Sequence, residues 1–225
     1  MLQDEIEKLL KSNGMADVGF CRVPDGPVGL PYAVSVVAAL SDAVVDEIDD
    51  APTYTYFHHY RTVNAFIDRM LLQTGLLLRE NGFRYIPVGA SQSIHTGEKR
   101  EHRGRYSHKK AAVLAGLGTV GKSALFLHPT LGPRVRLGTL FTDCPLTAES
   151  VAAKSLCGSC TLCVRACPAG AIKGAQWRPG GDREELFDAE ACNSYMRGHF
   201  MQIGRGAVCG ICMRVCPMGK QGANG

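Results

Sequence analysis

The chain has 225 residues, of which 45% are hydrophobic and 20% are charged, and its formal net charge at pH 7 is +4. This length and composition are typical of a globular protein with an adequate core, and they exclude a mini-protein. No apolar run approaches the roughly 18 to 20 residues that a membrane helix needs, and the small net charge indicates no class of partner.

The first 90 residues predict alternating helices and strands. Apolar residues at helical spacing predict an N-terminal helix that ends at Asn13–Gly14, and β-branched runs predict strands at about 18–23 and 33–40. An apolar stripe that starts at Tyr60 predicts a long helix that ends at Asn81–Gly82, and FRYIPV after it predicts another strand.

Residues 91–110 form a polar segment with three histidines and six Lys or Arg. This composition predicts a solvated loop. Because basic residues are in excess, contact with an anionic ligand is the alternative.

The stretch AGLGTVGKS, residues 115–123, matches two nucleotide-binding patterns: G-x-G-x-x-G and G-x-x-x-x-G-K-S. Both patterns need a strand before the glycines and a helix after them. Here HKKAAVLA favours a helix before the glycines, and Pro129 leaves little room for a helix after them. We therefore expect no nucleotide, and instead a hairpin of ALFLH and VRLGTLFT. The glycines then serve either tight packing of a turn or close contact with a cofactor.

The cysteines divide the chain into two parts. Only Cys21 and Cys144 precede residue 150, whereas eight cysteines follow from Cys157 onward. The sequence predicts a mixed α/β domain over 1–150 and a cysteine-rich domain over 151–225. Cys21 and Cys144 are predicted to be small buried residues. The N-terminus lacks the features of a secretory leader, so we expect a cytoplasmic protein, in which regularly spaced thiols are metal ligands rather than disulfides.

Two cysteine motifs carry the strongest chemical signal. CGSCTLCVRACP has the C-x2-C-x2-C-x3-C-P spacing that binds 4Fe-4S clusters in bacterial ferredoxins. CGICMRVCP has only three cysteines, because Gly206 stands where a fourth would be, and Cys192 is the substitute. The pattern predicts two clusters, one bound by Cys157, Cys160, Cys163 and Cys216, the other by Cys167, Cys192, Cys209 and Cys212. Two zinc sites match the ligand count but not the triple run.

Several blocks together resemble one family. These are SHKKAAVLAGLGTVGKSAL, GPRVRLGTLFTD, the triple-cysteine run ending in CP, CNSY and CGICMRVCP. In this order and spacing, over about residues 80–217, they resemble the epoxyqueuosine reductase family and its short double 4Fe-4S relatives. The resemblance implies an α+β protein: a nitroreductase-like mixed α/β sandwich domain, related to corrinoid-handling and reductive dehalogenase cores, followed by a small two-cluster ferredoxin-like domain.

The resemblance also implies an activity. By this resemblance the protein is expected to be an oxidoreductase that takes electrons from a small donor protein of the ferredoxin or flavodoxin type. The electrons would pass through two 4Fe-4S clusters to cobalamin, which reduces a small electrophilic substrate. By this likeness Gly116, Gly118, Gly121 and Lys122 are the residues beside the cobalamin. An electron carrier or corrinoid-protein activase is the alternative, and an ATP-driven reductant depends on the literal G-x-x-x-x-G-K-S match alone.

Two departures from the family pattern affect the substrate. Members that act on tRNA carry an aspartate, proposed as proton donor, shortly after the strand written here FRYIPV, whereas this chain has ASQSIHTGEK with His95 near that place. Because imidazole titrates near neutral pH, His95 and His108 are the candidate proton donors. Longer members have a C-terminal helical-repeat domain that helps to hold tRNA, and this chain stops eight residues after Pro217. The sequence therefore predicts a small-molecule or modified-nucleoside substrate and no membrane partner, and it leaves open whether tRNA is a partner.

Overall fold

The structure is a computed structural model that describes residues 1–94, 102–148 and 155–219. Its helices are α1 (Leu2–Ser12), α2 (Asp42–Asp46), α3 (Tyr54–Glu80), α4 (His108–Leu114), α5 (Leu162–Ala166), α6 (Arg183–Leu186), α7 (Ala189–His199) and α8 (Ile211–Arg214). Its strands are β1 (Asp17–Arg22), β2 (Tyr32–Ala39), β3 (Tyr85–Val88), β4 (Thr119–Val120), β5 (Phe126–Leu127) and β6 (Val135–Thr142).

The described chain forms two compact units, each built from separate stretches of sequence. The first contains residues 1–39, 62–94, 102–117 and 136–148, and the second contains 40–61, 118–135 and 155–219. Two stretches from before residue 150 thus group with the cysteine-rich part. The division of the chain into domains at residue 150 stays a prediction.

The first unit is organised around a four-stranded sheet with the order β1-β2-β6-β3. β1 pairs antiparallel with β2, and β3 pairs antiparallel with β6. β2 and β6 are buried along almost their whole length, as expected for central strands with helices on both faces. Gly138 in β6 lets α3 approach closely, because a Cβ there would lie 2.3 Å from Ile67 Cγ2.

Most of the predicted elements are confirmed. α1 ends with Asn13 as its C-cap, and β1 and β2 lie within one residue of the predicted strands. α3 is longer than its apolar stripe suggested, since it begins at Tyr54, and β3 lies within FRYIPV. The mixed α and β character of the chain is confirmed as well.

The predicted hairpin of ALFLH and VRLGTLFT is wrong. β5, within ALFLH, pairs antiparallel with β4, whereas β6 joins the four-stranded sheet between β2 and β3. The bridge between His128 and Gly132 closes a short turn directly after β5. The segment PTLGP forms this turn, so it does not join β5 to β6 as a hairpin.

In the second unit, ion pairs hold the residue 42–46 segment against the stretch that follows β5. The Arg134 side chain is only 2% exposed, and it donates to Asp42 Oδ1 at 2.8 Å and to Asp46 Oδ1 at 2.7 Å. A buried guanidinium needs such partners, because an unpaired buried charge costs several kcal/mol. None of the helices among the described residues has the length and apolar composition required to cross a bilayer.

Candidate functional site

The second unit contains two similar turns, each of which places two cysteines three residues apart. In both turns the first cysteine is followed by a glycine with positive φ, Gly158 at 49° and Gly210 at 86°. Glycine adopts this left-handed conformation without the steric cost that a Cβ adds. A short helix follows each turn, α5 carrying Cys163 and α8 carrying Cys212. The sequence signal for these turns is the glycine that follows the first cysteine in each C-G-x-C repeat.

The eight thiol groups lie in two neighbourhoods. The first neighbourhood contains Cys157, Cys160, Cys163 and Cys216, because both Cys163 and Cys216 interact electrostatically with the others in this set. The second contains Cys167, Cys192, Cys209 and Cys212, which interact in the same way, and Cys212 also interacts with Cys163, so the two neighbourhoods adjoin. Each neighbourhood combines cysteines from both motifs. The two ligand sets stay a prediction, which this grouping supports.

The surroundings of these thiols suit a group that binds thiolates. All eight cysteines are free and partly buried. Burial raises the pKa of the Cys192 thiol to about 11, and it raises the pKa of Cys212 further still. An isolated thiolate is therefore disfavoured here, whereas iron, as a bound cation, would reverse this preference. Backbone N–H groups of Ile211 and Met218 bond to the sulfurs of Cys209 and Cys216.

No three His, Cys, Asp or Glu side chains among residues 1–94, 102–148 and 155–219 converge as they would around a single metal ion. Four thiolates around one zinc ion would each lie about 2.3 Å from it. Cluster ligands instead bind separate iron atoms at the corners of a cube, so they need not converge on one point.

Gly206 explains why the second motif lacks a cysteine of its own. Its φ is +66°, and a Cβ there would lie 2.6 Å from the backbone oxygen of Met196 and 2.9 Å from the backbone nitrogen of Arg197. The turn thus packs directly against α7, where no side chain fits. α7 itself carries Cys192, and its first turn is capped by Asp188, which accepts from the Ala191 N–H at 2.9 Å.

The glycines of AGLGTVGKS have separate structural explanations. Gly116, with φ +74°, ends α4: its N–H bonds to Val113 O, and the Leu117 N–H bonds to Ala112 O, which is the Schellman arrangement. Gly118 and Gly121 allow close packing on β5. A Cβ at Gly118 would lie 2.3 Å from Leu127 O, and one at Gly121 would lie 2.8 Å from Leu127 Cδ1.

Lys122, the last predicted cobalamin residue, faces the first cysteine turn. Its Nζ donates to the carbonyl oxygens of Gly158 at 2.9 Å and Cys160 at 3.0 Å. Contacts within the protein therefore account for Lys122, as they do for the three glycines. The role of these four residues beside cobalamin stays a prediction.

The two predicted proton donors differ in what the structure describes. His95 lies outside the described residues. His108 begins α4, and both of its ring nitrogens are bonded, Nδ1 to Thr139 Oγ1 at 2.9 Å and Nε2 to Gly89 O at 3.2 Å. Burial is the largest cause that lowers the pKa of His108, so the neutral imidazole is favoured. This geometry suits a residue that joins β3, β6 and α4, and its role as proton donor stays a prediction.

We expect the His108→Gln variant to lose part of the pH dependence of stability. Because the pKa of His108 is lower in the folded state than its unfolded value of about 6.5, the unfolded chain takes up the proton first. The resulting stability is fully present above pH 6.5 and is lost as the pH falls through 6.5 towards the folded value. Denaturant unfolding of the anaerobic protein between pH 8 and 5.5 measures this slope, at most about 1.4 kcal/mol per pH unit for one group.

The matched control for His108→Gln is His199→Gln, because His199 is exposed on α7. We expect the control to keep the wild-type slope. An identical slope in His108→Gln and the wild-type protein contradicts the structural role of His108.

The two remaining cysteines are buried, as predicted. Cys21 is 1% exposed and its thiol donates to Ala111 O at 3.6 Å, while Cys144 is 4% exposed. Burial raises the pKa of Cys21 to about 11. Both are small buried residues outside the two thiol neighbourhoods.

Residues 156–219 match the family model of a 4Fe-4S double cluster binding domain. This match confirms the predicted iron–sulfur class of cofactor. An epoxyqueuosine reductase from Cyclobacterium marinum is 34% identical to the chain over 119 residues, a match that covers 48% of this chain and 36% of that protein. The chain therefore spans about a third of the length of this relative.

Two solved structures share the fold. A reductive dehalogenase, whose structure suggests a mechanism for B12-dependent dehalogenation, has a TM-score of 0.74 at 20% identity over 96% of this chain and 31% of its own. An epoxyqueuosine reductase solved with a tRNA stem loop has a TM-score of 0.63 at 20% identity over 97% of this chain and 65% of its own. The predicted resemblance to epoxyqueuosine reductases is confirmed.

Proposed function

We propose that the chain is an iron–sulfur oxidoreductase that carries two 4Fe-4S clusters and delivers electrons to a small electrophilic substrate. The observation that carries this proposal is the division of eight partly buried thiols into two sets of four, each drawn from both motifs. A 4Fe-4S cluster takes four thiolates, so the two sets supply two clusters without a remainder.

In this proposal the two ligand sets are those that the sequence predicts. Cys157, Cys160, Cys163 and Cys216 hold one cluster, which we call cluster A. Cys167, Cys192, Cys209 and Cys212 hold the other, which we call cluster B. When bound, the clusters supply one-electron transfer. The protein's own part is to fix the thiolates with the two C-G-x-C turns and to shield them from water, which also sets the reduction potentials.

The proposed electron acceptor is supported by similarity to other proteins and not by contacts within this structure. The relatives include a dehalogenase with B12-dependent chemistry, so we propose cobalamin as the second cofactor, within a nitroreductase-like α/β part. Cobalamin would supply reductive chemistry that amino-acid side chains lack. A ferredoxin or flavodoxin type of protein is the proposed electron donor.

The proposed substrate is a small molecule or a modified nucleoside. The epoxyqueuosine reductase with a tRNA stem loop makes a nucleoside within tRNA an explicit alternative. His95 is the proposed proton donor, whereas His108 would first have to release Thr139 or Gly89. A direct comparison of binding to a modified-nucleoside tRNA stem loop and to the unmodified loop distinguishes these substrates.

Anaerobic reconstitution followed by cobalamin titration tests this function. We expect about eight iron and eight sulfide per chain, four of each for every cluster. Titration with hydroxocobalamin should then shift the visible spectrum of the cobalamin until one equivalent is bound. A preparation that takes up zinc and refuses iron contradicts the proposal at its first step.

The alternative function is an electron carrier or corrinoid-protein activase without its own substrate pocket. It is favoured by one observation, that Gly118, Gly121 and Lys122 are explained by contacts with Leu127 and the first cysteine turn. With about eight iron bound and no cobalamin spectral change at any ratio, the carrier is the correct assignment.

A further inference from the structure

Lys122 is a buried cation in the second unit. The residue is only 6% exposed, and among the described ion pairs none joins it to a carboxylate. Its ammonium group donates instead to two backbone carbonyl oxygens, those of Gly158 and Cys160. A buried ammonium with only neutral partners is costly, because its charge lacks compensation. The charge is therefore expected to face a negative group that the protein binds.

The thiol of Cys157 is the first indication of that group. The backbone N–H of Lys122 donates to Cys157 Sγ at 3.4 Å. The preceding residue, Gly121, packs against Leu127, where a Cβ would lie 2.8 Å from Leu127 Cδ1, and this brings the chain beside the same sulfur. Lys122 thus supplies a backbone hydrogen bond to the sulfur, and its side chain bonds to the turn that joins Cys157 to Cys160.

We infer that Lys122 is a positioning and redox-tuning residue for cluster A, which rests on the proposed function. Four cysteine thiolates give the bound cluster a net negative charge, and each reduction adds one more electron. A nearby fixed cation and an N–H···S hydrogen bond both stabilise the reduced form more than the oxidised form. Lys122 therefore raises the reduction potential of cluster A, and its two bonds to carbonyl oxygens fix the turn that carries the ligands.

This role also explains the Gly-Lys pair of AGLGTVGKS without a nucleotide or a corrinoid. Gly121 makes room for Leu127, and Lys122 brings both a charge and two donors to the ligand turn. A charge held inside the protein is screened little by salt, so its effect on the potential should persist at high ionic strength.

The test is an anaerobic redox titration followed by electron paramagnetic resonance. The Lys122→Met variant removes the charge, Lys122→Gln keeps donors without charge, and Lys122→Arg keeps the charge. The matched control is Lys173→Met, since Lys173 is exposed on the same unit. We expect both neutral variants to shift one of two midpoint potentials to more negative values and to leave the other unchanged, whereas Lys122→Arg and Lys173→Met stay near the wild-type potentials.

The two proposals fail in different ways. Wild-type protein with far fewer than about eight iron contradicts the proposed function, and this is measured before any variant. With full iron in every variant, unchanged potentials in Lys122→Met overturn the role of Lys122. If the neutral variants lose about four iron, retention of all iron by Lys122→Arg supports the role of the charge, and equal loss in Lys122→Arg overturns it.

Discussion

A Cys192→Ala chain should bind about four iron and four sulfide instead of about eight of each. Cys192 lies on α7, outside both motifs, and its thiol interacts with those of Cys209 and Cys167. Removing one thiolate from cluster B leaves three, while the four ligands of cluster A are untouched. Iron and sulfide analysis after anaerobic reconstitution measures the loss, and electron paramagnetic resonance of the reduced protein shows whether one signal remains.

The reciprocal variants make this prediction specific. Cys167→Ala should behave like Cys192→Ala, although Cys167 belongs to the first motif, and Cys157→Ala should remove the other cluster. Cys144→Ala is the control, because that thiol is buried outside both neighbourhoods. Equal iron content in Cys192→Ala and Cys144→Ala contradicts the assignment of Cys192, and complete loss of iron in Cys192→Ala contradicts two separate ligand sets.

Local patterns in the sequence predicted the elements that depend on local forces. α1 and α3 follow from apolar spacing and from the Asn-Gly pairs that end them, because helix ends are determined within one turn. The cysteine spacing predicted the iron–sulfur chemistry for a similar reason, since three ligands on one tight turn fix the geometry of most of the site.

Contacts between distant stretches of sequence were the part that local patterns missed. Nothing near Lys122 in sequence indicates that its ammonium bonds to Gly158 and Cys160, 36 and 38 residues away. The pairing of β5 was assigned to the wrong strand because β4 has only two residues, Thr119–Val120, whereas β6 is a long apolar run and the next strand after β5. Arg134 likewise gave no sign in sequence that Asp42 and Asp46, 92 and 88 residues away, would neutralise it.

Gly206→Ala should destabilise the second unit and deprive cluster B of its iron. A residue with a Cβ at φ +66° costs about 1–2 kcal/mol relative to glycine. The new Cβ would also lie 2.6 Å from Met196 O, so the turn and α7 must separate. Because α7 carries Cys192, this separation moves a ligand of cluster B away from Cys209. Iron analysis and denaturant unfolding of the reconstituted protein measure the two effects.

The control for Gly206→Ala is Gly198→Ala. Gly198 lies on α7, and apart from the helix's own backbone no atom of the described residues lies within 4 Å of a new Cβ, so alanine there should keep all iron and stabilise the helix by about 1 kcal/mol or less. Loss of iron in both variants would mean that any change near α7 disturbs cluster B.

The double variant Cys192→Ala/Gly206→Cys tests whether cysteine spacing or the space available in the turn selects the fourth ligand of cluster B. It restores the complete ferredoxin spacing, C-x2-C-x2-C-x3-C, in the second motif. If spacing alone selected the ligand, the double variant would recover about eight iron. We expect about four, because the left-handed turn pressed against Met196 and Arg197 leaves no room for a cysteine side chain. The helix therefore supplies the thiolate that the turn has no space to carry.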